Sequence, residues 1–568
     1  MDKKKIPIGY EDFKKFKDEN LYLVDKTLMI RELLDVGAQT TLITRPRRFG
    51  KTLNLSMLRR FFEDERTMQG QKIDNSHLFE GMAIIEAGEK YLSHMGQYPV
   101  ISLSLKSGKQ NDFAMAHASL VDEIIKEFDR HAYVLAGEMS PRNRELFTAV
   151  WEGKADDIVY AKALAFLSEC LYKYHGREAV ILIDEYDVPL ENAYFRGFYD
   201  EMIGFIRSLF ESALKTNQYL RMGVITGCLR ISRESIFAGL NNLEIHSVIS
   251  KAYSRWFGFT EAEVRQMLDY YGQADRFEQA HAWYDGYCFG DTEIYNPWSI
   301  LNYAKSVQSG NQIATKPYWS NTSSNDIVKS LVEDADDITR GELETLMDGG
   351  TIEKPVHEEI TYGDIHTSRD NLWNFLFFTG YLKMKAQRIE GETIYLEMTI
   401  PNKEIKSIYR QSIVGWFDEK IESVDKSPLI KALEEGDCKA AADFISEQLM
   451  DTISFFDYAE SYYHGFLSGL LKNTGRYQVL SNRESGKGRP DLILQEKKFM
   501  GMAIIIELKV AESFAEMESK CEEALRQIEE QDYAAPLLKD GYSPILKYGI
   551  ALYKKGCIVR AGGCCKNC

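Results

Sequence analysis

Over the first half of the chain, short continuous apolar runs alternate with stretches of helical periodicity. Leu42-Ile43-Thr44, Tyr98–Leu103, Ala179–Ile183 and Met222–Thr226 read as strands apolar on both faces. Strands of that kind, separated by helical segments, predict an α/β parallel sheet over residues from about 35 to 255. The amphipathic stretches from about 64 to 100 and 108 to 178 exceed what a minimal βα unit needs, so insertions are expected. Residues 1 to about 30 read as an aromatic lead-in. From Phe257 the period becomes helical, and Thr260-Glu261-Ala262-Glu263 has the form of a capping box. Residues 316–425 mix helix and strand. Within them Asn371–Phe378 reads as a buried helix stopped at Gly380, in a segment that could form a winged-helix-like adaptor. Residues from about 427 to 470 are helical. Two further apolar runs, Leu492–Leu494 and Ile504–Ile506, predict an antiparallel hairpin turning over Gln495-Glu496-Lys497-Lys498. No internal repeat or low-complexity tract is visible.

Composition narrows the class. The chain has 568 residues, of which 44% are hydrophobic and 12% aromatic, enough for several sizeable cores. No apolar run approaches the 18 or so residues of a membrane span. Met1-Asp2-Lys3-Lys4-Lys5 leads into no signal-peptide apolar stretch. A cytoplasmic protein without membrane partners is the expectation. The net charge of −17 argues against broad nonspecific affinity for nucleic acid. It leaves room for a local basic groove. Five of the nine cysteines are scattered, as in reduced thiols. Cys557, Cys564, Cys565 and Cys568 gather at the end, where a loosely packed tail is expected ahead of a metal knuckle.

Arg45-Pro46-Arg47-Arg48-Phe49-Gly50-Lys51-Thr52 follows the first strand and leads into a helical pattern. That is the setting of a phosphate-cradling loop at a helix N-terminus. Lys51 would reach the β and γ phosphates of a nucleotide, and Thr52 would hold Mg2+. Arg45 stands where a first glycine belongs in this kind of loop, and that glycine normally permits a tight turn. The arginines at 45, 47 and 48 have three uses open to them: phosphate binding, nucleic-acid contact, or solvation. The run Ala179–Ile183 ends in Asp184 and Glu185. Asp184 would bind Mg2+ through water, and Glu185 would polarise the attacking water. Thr226, at the tip of the next strand, could sense the γ-phosphate. Arg230 could contact phosphate in cis, reach a neighbouring subunit, or be an ordinary surface arginine. The aromatics of Trp283–Tyr287 and Tyr295–Ser299 could stack bases, but a packed turn cluster is the commoner use.

Near the other end, Asp491 opens one strand of the expected hairpin, and Glu507 and Lys509 close the other. Residues two apart on a strand share a face, so Glu507 and Lys509 project together. Two carboxylates meeting at a sheet edge suit Mg2+, with Mn2+ as an alternative. A neighbouring lysine can orient water or stabilise developing charge.

Pro490-Asp491 and Glu507-Leu508-Lys509 resemble the PD-(D/E)xK nuclease superfamily. That resemblance implies a restriction-endonuclease-like α/β domain in which the two acids bind metal and the lysine assists attack on a phosphodiester. It further implies a metal role for Glu484 and a catalytic role for Gln527. His464 reads as a helix-capping or core histidine. Tyr22–Thr27, Arg45–Thr52, Ile183–Asp187 and Gly239–Asn242 resemble the bacterial AAA-ATPase-like proteins, which commonly carry such a C-terminal domain and commonly have arginine in place of the first loop glycine. This resemblance implies an AAA-like P-loop ATPase domain over 1–255 and a helical lid over 256–315. An adaptor over 316–425, a nuclease-like domain over 426–560 and a Cys-rich tail over 561–568 complete the expected order. ATP and nucleic acid, DNA ahead of RNA, are the expected partners, and a homo-oligomer is one further possibility. An ATP-linked nuclease and an ATP-dependent switch or scaffold that binds without cutting are the two readings carried forward.

Overall fold

The computed structural model describes residues 3–563, apart from 231–235, 238–240, 312–313, 321–327, 329–335, 359–361, 363–367, 451–459, 473–474, 482–484, 486–487 and 499. The chain forms two compact units. One comprises Met1–Ser324 with Gly349–Ile408, and the other Asn325–Asp348 with Tyr409–Cys568. The segment 316–425 expected to be an adaptor is therefore divided between them.

The first unit is built on five parallel strands: β1 Thr40–Thr44, β2 Val100–Ser104, β3 Ala179–Asp184, β4 Leu220–Gly227 and β5 Leu243–His246. Their spatial order is β2-β3-β4-β1-β5. All residues of β1 and β3 are buried, as the unbroken apolar runs require of strands covered on both faces. The order places β4 between the loop-bearing strand and the acid-bearing strand. Ile43 lies level with Thr226, and Ile183 with Ile225, so all three C-terminal ends open at one edge. Crevices outside the carboxyl ends of parallel strands are where such sheets bind ligands.

The helical segment follows as expected. Thr260 and Glu263 make both halves of the capping box that starts helix Glu261–Tyr270. Glu263 has a second role, forming an ion pair at 2.7 Å with Lys26, which also donates to the Arg255 carbonyl. Helices Phe277–Tyr284 and Pro297–Gln308 complete a core around Tyr284, Tyr295 and Tyr303, all fully buried. Those rings are a packed cluster and not an exposed stacking surface. β6 Tyr287–Phe289 and β7 Thr292–Ile294 form a small ribbon between these helices. Farther along, β8 Ile352–Pro355, β9 Lys383–Glu390 and β10 Thr393–Thr399 make an antiparallel sheet beside the buried helix Arg369–Phe378. That helix ends just before Gly380, at φ +91°.

The second unit has the sheet β11-β12-β13-β14-β15: Tyr477–Ser481, Leu492–Glu496, Ala503–Val510, Ile545–Tyr553 and Gly556–Gly562. β12 and β13 are antiparallel, as expected, with Leu492 opposite Ile506. Their turn comes later than the sequence suggested, because Gln495 remains in the ladder opposite Ala503. β13 and β14 are parallel, which demands a crossover. Helix Met517–Glu530 supplies it, lying so close to the sheet that a Cβ on Gly549 would sit 2.4 Å from the Cys521 carbonyl. Cys557 is a buried residue of β15, while Cys564, Cys565 and Cys568 lie outside the described residues.

Lys26 is 8% exposed, so removing its partner strands a buried cation. Glu263→Ala is expected to lower the stability of the first unit by about 3 kcal/mol in urea unfolding. Glu261→Ala, which loses only the exposed pair with Arg265, should change it by less than about 1 kcal/mol.

Candidate active sites

The first site forms where β1, β4 and β3 end. After Thr44 the chain enters the loop and then helix Lys51–Phe62, whose N-cap Gly50 has φ +85°. The first N–H groups of this helix have no partner within it and carry its positive pole. The loop's other left-handed residue is Arg48, at φ +69°. Arg45 does not have a positive φ, so the arginine that replaces glycine there meets no backbone obstacle. Its side chain turns down into the core, fully buried. The guanidinium donates to the carbonyls of Thr44 at 2.8 Å, His246 at 3.0 Å and Ala252 at 3.4 Å. It stacks over Phe257 and Phe289. Burial lowers its pKa to about 9. Arg45 thus ties the loop to the end of β5 and does not line the cavity above it.

Asp184 is the centre of this site. Its Oδ2 accepts from Thr52 Oγ1 and its Oδ1 from Thr226 Oγ1, both at 2.6 Å. Two hydroxyls on one carboxylate make a compact set of hard oxygens, which fits Mg2+. Lys51 is buried, and its ammonium donates to the carbonyls of Arg45 and Pro46 at 2.9 and 3.0 Å and lies 3.5 Å from Cys228 Sγ. Burial raises the Cys228 thiol to about 11, so it stays a neutral neighbour. Glu185 follows with φ +51°. It lines a cavity of about 320 Å3 together with Arg48, Phe49, Gly50, Lys51 and Thr52. The opposite wall includes Ile8, Tyr22, Phe259 and Trp298. Arg48 lies 4.6 Å over the Trp298 ring.

Other cations near the loop are already engaged. Arg47 pairs with Glu191, and Pro46 packs against Gly380. Arg230 pairs with Glu358 at 3.0 Å and is not part of the cavity wall. Sequence reading missed Asp187, whose Oδ2 accepts from the N–H groups of Cys228 and Leu229 and so fixes the turn after β4. Its place in the acidic run was the only available signal.

The second site lies on the β12–β13 hairpin. Asp491 Oδ2 accepts from the Leu508 N–H at 2.8 Å, and the Asp491 N–H donates to Glu507 Oε2 at 3.4 Å. Lys509 Nζ is 3.6 Å from Glu507 Oε1. The three side chains expected together are together. Glu507 is only 2% exposed. Burial, and then the Asp491 carboxylate, raise its pKa to about 7, although Lys509 opposes the shift. Two carboxylates on adjoining strands, one of them buried, suit a divalent ion. Glu484 lies outside the described residues. Among the described residues no group of three His, Cys, Asp or Glu side chains is gathered for a metal.

Gln527 bonds to the Tyr533 hydroxyl at 3.3 Å and not to either acid. Tyr533 was not foreseen. Burial raises its phenol, the Gln527 amide opposes the rise, and the charges of Glu507 and Asp491 add to it. It follows the end of helix Met517–Glu530, where helical spacing no longer relates it to Gln527. His464 stands 3.0 Å from the Asp491 carbonyl and 3.1 Å from Ser481 Oγ, beside the site.

Two stretches of the chain match known families. Residues 7–237 match the AAA-ATPase-like family, described as predicted AAA-ATPases. Residues 458–561 match the PD-(D/E)XK nuclease superfamily. The chain thus carries an AAA-ATPase-like domain and, near its C-terminal end, a PD-(D/E)XK nuclease superfamily domain. A relative, described as an uncharacterized protein in the vnfD 5′ region of Azotobacter chroococcum mcd 1, is 26% identical over 420 residues. The match covers 73% of this chain and 70% of that one. These domains support ATPase and nuclease-like function in general.

Arg45→Gly restores the commoner loop glycine yet removes the donor to three carbonyls. Nucleotide affinity is expected to fall at least tenfold, measured by titration calorimetry with ADP. Glu507 gives a pH signature. Its folded pKa is raised, so its neutral form is the one the fold favours, and that stability is lost as pH rises from the ordinary carboxylate range through about 7. Glu507→Gln should therefore gain melting temperature relative to wild type between pH 5 and pH 8. Mg2+ at pH 8 should stabilise wild type and not the Gln variant.

Proposed function

We propose that this protein binds and hydrolyses ATP and uses its nucleotide state to control a divalent-metal-dependent phosphodiesterase acting on nucleic acid, DNA ahead of RNA. The observation that carries the reading is the convergence of Asp491, Glu507 and Lys509 on adjoining strands, with Glu507 held near neutrality by its surroundings. At the second site, a cation held by the two acids would supply Lewis-acid polarisation of the scissile phosphate. Lys509, already against Glu507, would orient the attacking water or stabilise charge on the phosphate. Gln527 holds the Tyr533 hydroxyl. At the first site, Lys51 would exchange its loop carbonyls for the β and γ phosphates, Thr52 and Asp184 would hold Mg2+, and Glu185 would orient water. Thr226, bonded to Asp184, senses the terminal phosphate through that carboxylate.

A second reading, a nucleotide-dependent switch whose C-terminal domain binds without cutting, is favoured by the net charge of −17. A cleavage assay separates the two. Wild type, Glu507→Ala and Lys51→Ala are incubated with single- and double-stranded DNA and RNA, in Mg2+ or Mn2+, with and without ATP. Cutting is expected from wild type, with at least a hundredfold loss in Glu507→Ala. Lys51→Ala should keep basal cutting and lose the response to ATP. Equal cutting by Glu507→Ala would remove the catalytic assignment. No cutting with ATP binding intact would establish the switch.

A further inference from the structure

The cavity at the Lys51 helix has a wall that belongs to none of the motifs. β2 ends at Ser104, and the chain enters a short turn, Lys106–Gly108, followed by Lys109. Lys106 and Lys109 both line the cavity that Arg48, Lys51, Thr52 and Glu185 also line. Both are exposed side chains.

The backbone beneath them is anchored to the elements that carry the acids. The Leu105 N–H donates to the Asp184 carbonyl at 3.0 Å. Gly108 is pressed between helices Phe113–Arg130 and Val188–Arg196: a Cβ there would lie 2.8 Å from Pro189 and 3.1 Å from Leu120. The side-chain amide of Asn192 donates to the Gln110 carbonyl. The turn is thus fixed relative to Asp184 and Glu185, while the lysine tips remain free to reach. Lys106 makes an exposed pair with Glu11 at 3.3 Å, a contact weak enough to exchange for phosphate. The charge of Lys109 bears on Glu191, the partner of Arg47.

A triphosphate brings more negative charge than Lys51 and Arg48, the latter lying over Trp298, can meet. Arg45 is buried beneath the loop, Arg47 is paired with Glu191, and Arg230 is paired with Glu358 away from the cavity. If Thr52 and Asp184 hold Mg2+ between the β and γ oxygens, the terminal phosphate lies toward Glu185. The β2 turn, bonded to Asp184, stands beside that position. We infer that Lys106 and Lys109 are phosphate contacts supplied in cis at the terminal phosphate, and that they make the site prefer ATP to ADP. This rests on the ATP-binding reading above.

The test is titration calorimetry on the full chain in Mg2+, with the non-hydrolysable analogue AMP-PNP and with ADP. The proteins are wild type, Lys106→Ala/Lys109→Ala, Lys106→Arg/Lys109→Arg and Lys51→Ala. The double alanine variant is expected to lose at least tenfold in AMP-PNP affinity and less than about threefold in ADP affinity. The double arginine variant should keep the wild-type ratio. Retained ADP binding reports that the variant is folded. An unchanged AMP-PNP to ADP ratio in the double alanine variant overturns the inference and leaves ATP binding standing. An equal loss for both nucleotides also overturns it, since the lysines would then not read the terminal phosphate. If wild type binds neither nucleotide, or Lys51→Ala binds both as wild type does, the ATP reading itself falls and takes the inference with it.

Discussion

The carboxylate of Asp184 holds the first site together. Each of its oxygens accepts one threonine hydroxyl, from Thr52 at the start of a helix and from Thr226 at the end of a strand. Those residues are far apart in the chain, and only the strand order brings them to one point. With β4 lodged between β1 and β3, the loop strand and the acid strand cannot touch directly. Any movement of the loop helix that displaces Thr52 acts on the same acid that Thr226 holds. The covering of the sheet on both faces makes that geometry stiff, because close-packed interiors yield little to small displacements.

The two sites stand in opposite electrostatic condition. Around the first, the cations have interim partners: Lys51 on loop carbonyls, Arg47 on Glu191, Arg48 on an indole ring. Those of Lys51 and Arg48 are contacts a polyanion can replace. The second site gathers negative charge, with Asp491 and Glu507 on adjoining strands and Lys509 against Glu507. One site is organised to receive an anion and the other to receive a cation. A chain with a net charge of −17 can hold both because each depends on groups within a few ångströms and not on the total.

The sequence made the framework legible where chemistry and periodicity coincide. The buried runs ending in Asp184 and Thr226, the capping box at Thr260 and the Asp491–Glu507–Lys509 hairpin all combine a pattern with a polar residue at its edge. What stayed hidden lacks that coincidence. Arg45 looked like a missing glycine, but the left-handed turns fall at Arg48 and Gly50, so position 45 is free to serve as a buried tether. Lys106 and Lys109 sit in a turn with no period, and their place on the cavity wall follows from a hydrogen bond to Asp184. Tyr533 meets Gln527 only because the helix has ended between them. The adaptor expected over 316–425 rests on a local mixture of helix and strand patterns, while the division into two units follows from contacts across the chain.

The β12–β13 pairing carries a further consequence. Side chains on a strand alternate faces with a period of two. Ile506 lies opposite Leu492, and this sets Glu507 beside Asp491. A slip of one residue would bring Leu508 to that position and send Glu507 to the other face. A single-residue change in the length of the turn that shifted the pairing would therefore turn an acidic edge into a greasy one without altering any of the three residues that define it.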